Sequence, residues 1–314
     1  MAMKNFILFT IIASIFFWSC EKQVRVDIPQ KTPKLVVNAW LNQDQDVTVK
    51  VGKSRHVLDP VNMQSSNREI YTVKNAVPVL YENNVAFDTL VFNSTDYLYK
   101  SRYNKKIRPG YTYTIRVNAS GFTEAEAVTL VPSSSEIAEV KWVQHVRTNS
   151  DGFSMDDVTI KLNDPAEPNV YLIQFFSSYV YTTGDANPIY CVSTNDKDIE
   201  LLGNETDPLN PDNCFDGGKL LMKDTHFNGT QKQVKFSIES DVLKTYSDPN
   251  TNRIRRPYIK VYRITEDYFK FLKSYSIYNS SDENPFAEPV NVFSNVKNGY
   301  GIFSAYTVAV DSLR

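Results

Sequence analysis

Strict alternation of apolar and polar residues, repeated along most of the chain, is what most limits how this sequence can fold. Val47, Val49 and Val51 alternate with Thr48 and Lys50, and Tyr111, Tyr113, Ile115 and Val117 with Thr112, Thr114 and Arg116. Successive side chains of a strand point to opposite faces, so a period of two defines strands with one face buried and one in water. Leu35–Leu41, Val77–Glu82, Val85–Phe92, Tyr97–Ser101 and Glu124–Val131 are further candidates, with turn chemistry at Asn83-Asn84, Pro109-Gly110 and Ser120-Gly121. About seven short strands in roughly one hundred residues, with no helical pattern, predict an immunoglobulin-like β-sandwich over residues 34–132.

Val131-Pro132 and Ser133-Ser134-Ser135 read as a polar link into a larger β-rich domain, residues 133–314. There Val158, Ile160 and Leu162 alternate, and Val170–Phe176, Val234–Ile238 and Tyr258–Ile264 are rich in β-branched and aromatic residues. One helix is expected near residues 265–278. Thr265 is placed to cap it, Glu266 and Asp267 put negative charge on its first turn, and Tyr268, Phe271, Leu272 and Tyr275 form an apolar stripe. That stripe reads first as a packing face, with a ligand platform as the alternative. Ile302 to Val310 is apolar on both faces, which predicts a central strand, and Gly299 and Gly301 give permissive backbone at its entrance. The expected fold class is therefore mainly β, a sandwich followed by a larger β-rich domain with one packed helix.

Residues 1–19 have a different character: Lys4 precedes the apolar run Phe6–Trp18. Thirteen helical residues span about 20 Å, short of a bilayer core of roughly 30 Å, so the run reads as an export signal. It ends at Ser19-Cys20, which resembles the lipobox of bacterial lipoproteins, with Phe17 where leucine is usual and Trp18 where a small residue is common. Cys20 is thus the expected lipidation (palmitate) site, and residues 20–33 the tether of a body anchored in a membrane by several acyl chains. Acylation of Cys20 leaves Cys191 and Cys214 in an oxidising compartment, within the polar segment Thr182–Asp224, and a structural disulfide between them is expected.

Charge and motif searches remove several functions. The 34 basic side chains are balanced by 36 acidic ones, a net charge of −2, which argues against nucleic acid as a partner. Three histidines, His56, His145 and His226, lie far apart and lack metal-ligand spacing. Asp212, Cys214 and Asp216 before Gly217-Gly218 faintly resemble a calcium loop, but Lys223 occupies the closing position; a polar loop held by a disulfide is the plainer reading. Phosphate-loop, zinc-protease and nucleophile-elbow motifs are missing, and Gly299-x-Gly301 lacks the third glycine of a dinucleotide loop. No catalytic, cofactor-binding or metal-ligating residue is assigned. The basic groups Lys105, Lys106, Arg108 and Arg253, Arg255, Arg256 read as solvated loop charges, with partner docking as the alternative.

The most distinctive text is Pro285-Phe286-Ala287-Glu288-Pro289-Val290, then Val292-Phe293-Ser294-Asn295-Val296 and Asn298-Gly299-Tyr300-Gly301-Ile302-Phe303-Ser304-Ala305-Tyr306. With Ala76–Glu82, Pro109–Tyr113, Asp164-Pro165, Asp224–Gly229 and Ile264–Phe269, it resembles a family of Bacteroidota outer-membrane lipoproteins known as a domain of unknown function, number 4249. The resemblance implies an accessory lipoprotein of a TonB-dependent receptor and carries over no catalytic residues. The expected function is a non-enzymatic, lipid-anchored outer-membrane protein that captures substrate for, or caps, such a transporter. Alternatives are a stand-alone carbohydrate-binding or adhesion module, marked by a surface cluster of Tyr and Trp, and a hydrolase with two carboxylates about 5–10 Å apart in a cleft.

Overall fold

In β1 (Leu35–Leu41) the alternation becomes geometry: Leu35, Val37, Ala39 and Leu41 are buried while the residues between them face outward. The computed structural model describes residues 32–55, 70–134, 136–179, 187–188, 192–202, 219–243, 246–248, 253–281 and 290–313. The first half continues with β2 (Thr48–Lys53), β3 (Val77–Glu82), β4 (Val85–Thr89), β5 (Val91–Asn93), β6 (Leu98–Lys100), β7 (Thr112–Asn118) and β8 (Ala125–Leu130). The second half opens with β9 (Ile137–Thr148), β10 (Ser154–Asn163), β11 (Val170–Tyr179), β12 (Asn187–Pro188), β13 (Val192–Ser193) and β14 (Ile199–Leu201). It ends with β15 (Leu220–Lys223), β16 (Gln231–Glu239), β17 (Tyr246–Asp248), β18 (Arg253–Ile264), helix α1 (Glu266–Ser281) and β19 (Tyr300–Ser312). The protein is mainly β, and among the described residues no helix is long and apolar enough to cross a membrane.

Three sheets result. The largest has eleven strands, ordered β14-β15-β11-β18-β19-β1-β2-β6-β5 with β12 and β17 at its side; the others run β13-β16-β10-β9 and β4-β3-β7-β8. The sheet β4-β3-β7-β8 packs on the β1 side of the large sheet around Val37, Val49, Leu80, Tyr99, Tyr113, Ile115 and Phe303. A second core joins β10, β11, β16 and β18 through Ile160, Ile173, Phe175, Phe236 and Ile259.

One strand joins the halves on either side of the boundary expected at residue 132. The first half of β19 pairs parallel with β1, Val36 opposite Tyr300 and Leu41 opposite Ala305. Its second half pairs antiparallel with β18, Ile264 opposite Tyr306 and Tyr258 opposite Ser312. Phe303 and Ala305 therefore complete the core of the N-terminal sandwich, and Pro33–Arg314 is one compact unit. Covered on both faces, Ile302, Phe303, Ser304 and Ala305 are buried in succession, as expected of a central strand. Gly301 has φ +110°, and a side chain there would collide with the Val37 carbonyl. At Gly299 the constraint is proximity, because a Cβ would lie 2.7 Å from the Leu35 carbonyl oxygen.

The helix begins where expected. Thr265 Oγ1 accepts the Tyr268 N–H at 3.2 Å, satisfying one of the free amides of the first turn.

Candidate functional site

Four chain segments meet in a largely buried polar knot. Asp164, just after β10, accepts hydrogen bonds from the Tyr171 hydroxyl at 2.5 Å, Asn169 Nδ2 at 3.1 Å and the Gly229 N–H at 2.8 Å. Asp224, after β15, accepts the Asn169 N–H at 2.6 Å. Arg263 of β18 is 2% exposed and donates to Glu167 Oε1 at 2.9 Å, to Asn169 Oδ1, to Ser133 Oγ and to the Ser134 carbonyl. Burying these charges would be costly unpaired, and here each is matched, except that Arg263 Nε has no acceptor among the described residues. The Arg263 and Ser133 bonds hold Glu167 down to about 2. Burial pushes the Asp224 carboxyl up, and burial with the Asp164 bond pushes the Tyr171 phenol far up.

Above the knot lies a cleft of about 930 Å³, within the range of small-ligand sites. Val128, Leu130 and Pro132 form one wall; Pro168, Lys223, Thr225 and the first turn of α1 form the other. Each carboxylate of the cleft is engaged: Glu167 with Arg263, Asp224 with Asn169, Glu266 with Lys223 at 2.9 Å, and Asp267 with Asn295 Nδ2 at 3.0 Å. A smaller groove of about 680 Å³ lies over β10 and β16, where Asp157 pairs with Lys235 at 2.5 Å.

Helix α1 divides its apolar residues between two directions. Phe269 and Leu272 are buried against Val170, Leu172, Leu221 and Ile264. Phe271 and Tyr275 turn away from that core and stack at 5.7 Å with an 8° interplanar angle. Tyr278 continues the row at 6.5 Å, and Trp40 of β1 meets Phe271 edge-on at 6.4 Å. Trp40, Tyr275 and Tyr278 are exposed. The expected stripe is thus half packing face and half surface row: the buried side of the helix is centred on Leu272 and Phe269, with Tyr268 at its margin, and Phe271 and Tyr275 lie beyond it.

Cys20, Cys191 and Cys214 lie outside the described residues, as do Asp212, Asp216 and His56. His145 Nδ1 lies 2.8 Å from Ser154 Oγ and His226 Nδ1 2.6 Å from Asp198 Oδ1, and the described residues hold no metal-ligand cluster. Arg108 is bound to Glu82 and lies 3.9 Å from the centre of the Tyr111 ring, and Lys106 pairs with Asp46 at 3.3 Å. Arg253, Arg255 and Arg256 belong to strand β18 and not to a loop, a correction that follows from their pairing with β17 and β11. Trp40 and the β8 wall had no signal of their own, since the row and the cleft they join are assembled through contacts distant in sequence.

The protein is thus mainly β, with a cleft of ligand size between the β4-β3-β7-β8 sheet and the large sheet and an aromatic row on the surface of α1. Residues 21–312 match the family described as Domain of unknown function (DUF4249), and the chain belongs to it. No curated protein matches. Among solved structures, β-glucuronidase of Parabacteroides merdae shares 11% identity over 74% of this chain and 24% of that one, at a TM-score of 0.21. The same enzyme with glycerol in its active site gives 11%, 74%, 23% and 0.21. The chain spans about a quarter of those structures, and a likeness so slight carries no argument.

Proposed function

We propose that this protein is a non-enzymatic, lipid-anchored outer-membrane lipoprotein that acts as an accessory, substrate-capture partner of a TonB-dependent transporter. The observation that carries this reading is the cleft over the Arg263 knot. Its carboxylates are committed to fixed partners, which suits a rigid receptor surface better than a pair of reacting acids. Acylation at Cys20 would confine it beside the transporter, raising the effective concentration of two weak partners without any new contact. Affinity purification of the tagged protein from detergent-solubilised outer membrane tests the partnership, with recovery of a TonB-dependent barrel as the expected result. Labelling with an alkyne fatty acid tests the anchor: wild type should label and Cys20→Ala should not.

A second reading, a stand-alone glycan-binding module, is favoured by the exposed row of Trp40, Tyr275 and Tyr278. Repeated recovery of the lipoprotein alone, together with polysaccharide binding in vitro, would replace the first reading with this one.

A further inference from the structure

The wall that β8 gives to the cleft is a free strand edge. In the β7–β8 ladder Thr112 faces Leu130, Thr114 faces Val128 and Arg116 faces Glu126. Val131 donates its N–H to Tyr111 across that ladder, so the odd-numbered residues of β8 bond inward and the even-numbered ones present N–H and C=O outward. Glu126 shows what those outward groups can do. It exchanges both bonds with Lys297, N–H to O at 3.2 Å and O from N–H at 2.8 Å. Beyond it, the outward N–H and C=O of Val128 and Leu130 have no strand opposite among the described residues, and both side chains are about half exposed.

Unpaired backbone donors and acceptors along a strand edge are a template for another extended chain. Here the template is short, stopped at one end by Lys297 and enclosed in a cleft of about 930 Å³. Those limits fit a short free peptide and not a long strand of a folded partner. The opposite wall sets its charge: Glu167, Glu266 and Asp267 outnumber Lys223 and the buried Arg263, and the Glu167 and Glu266 side chains are half exposed. We infer that the cleft binds a short, basic, extended peptide, added as a strand to the outward edge of β8 at Val128 and Leu130. This rests on the reading of the cleft as a capture site and names its substrate class.

The test is fluorescence anisotropy on the full chain with three labelled hexapeptides: alternating valine and lysine, alternating valine and glutamate, and the lysine peptide with every backbone amide N-methylated. The lysine peptide should bind, with the glutamate and N-methylated forms each at least about tenfold weaker. Leu130→Pro removes one outward N–H at an edge position where proline is tolerated, and should weaken the lysine peptide by about tenfold with an unchanged melt. Should that variant fold poorly, the N-methylated peptide decides the same point on the wild-type chain. Equal binding of the N-methylated peptide, or no saturation by the lysine peptide at about 1 mM, overturns the inference. Recovery of a TonB-dependent barrel alongside absent peptide binding would discard the peptide and keep the partnership; the converse pattern would do the opposite.

Discussion

The side-chain amide of Asn295 pairs with the backbone of Phe303 as a strand residue would, its Oδ1 accepting the Phe303 N–H at 3.0 Å and its Nδ2 donating to the Phe303 carbonyl at 2.8 Å. The second proton of Nδ2 reaches Asp267 on the first turn of α1 at 3.0 Å. One amide thus ties the loop before β19 to both the central strand and the helix. Asn295→Asp keeps the shape but removes both donors and faces a carboxylate with two acceptors. A loss of about 2–4 kcal/mol is expected in urea unfolding, against a smaller loss for a surface substitution such as Lys270→Gln.

Gly301→Ala should destabilise the whole unit. The residue sits at φ +110° and its new methyl would collide with the Val37 carbonyl, so relief requires moving β1 or β19. Calorimetry should show one transition lowered in temperature for both halves; a lower melt confined to one half would separate them. Truncation before Gly299 should unfold the N-terminal sandwich too, because Phe303 belongs to its core.

Arg263→Met should cost about 3 kcal/mol or more, since the acceptors Asn169 Oδ1 and Glu167 lose a charged donor inside the knot. The pH dependence follows from Glu167, held at about 2 against a usual 4.5. A depressed folded pKa contributes stability above the usual value, which is lost as pH falls from about 5 towards 2. Glu167→Gln should therefore flatten the acid limb of the stability curve. Because Glu167 is half exposed, the change should be modest and shrink in high salt.

Tyr275→Ala and Tyr278→Ala should leave the melt nearly unchanged, since both rings are exposed, whereas Leu272→Ala should lower it, at a cost of about 2–3 kcal/mol in unfolding free energy. If the row binds glycan, the first pair should abolish retention on polysaccharide in affinity electrophoresis.

A Cys191–Cys214 bridge should leave no free thiol on those residues when the denatured, unreduced protein is alkylated. It would close a loop worth roughly 3 kcal/mol, so reduction should lower the melting temperature.

What the sequence made legible was local. Leu35–Leu41 and Val77–Glu82 are strands with the expected bounds, because alternation needs only neighbours, and the Thr265 cap needs only the next turn. The strand β9 carried little pattern because most of its residues are exposed and its pairing with β10 shifts register twice. The knot was half visible: Asp164-Pro165 and Asp224–Gly229 stood out as text, but Asn169 meets Asp224 across 55 positions and Arg263 across 94. No periodicity announces such a meeting, nor a cleft walled by β8 and α1.

The position of β19 also sets a clock. One edge of β1 is taken by β2 close by in sequence, but the other waits for residues 300–305, so the first strand of this unit is completed by its last. Pairing across so long a contour is slow, because a large loop must close before any contact rewards it.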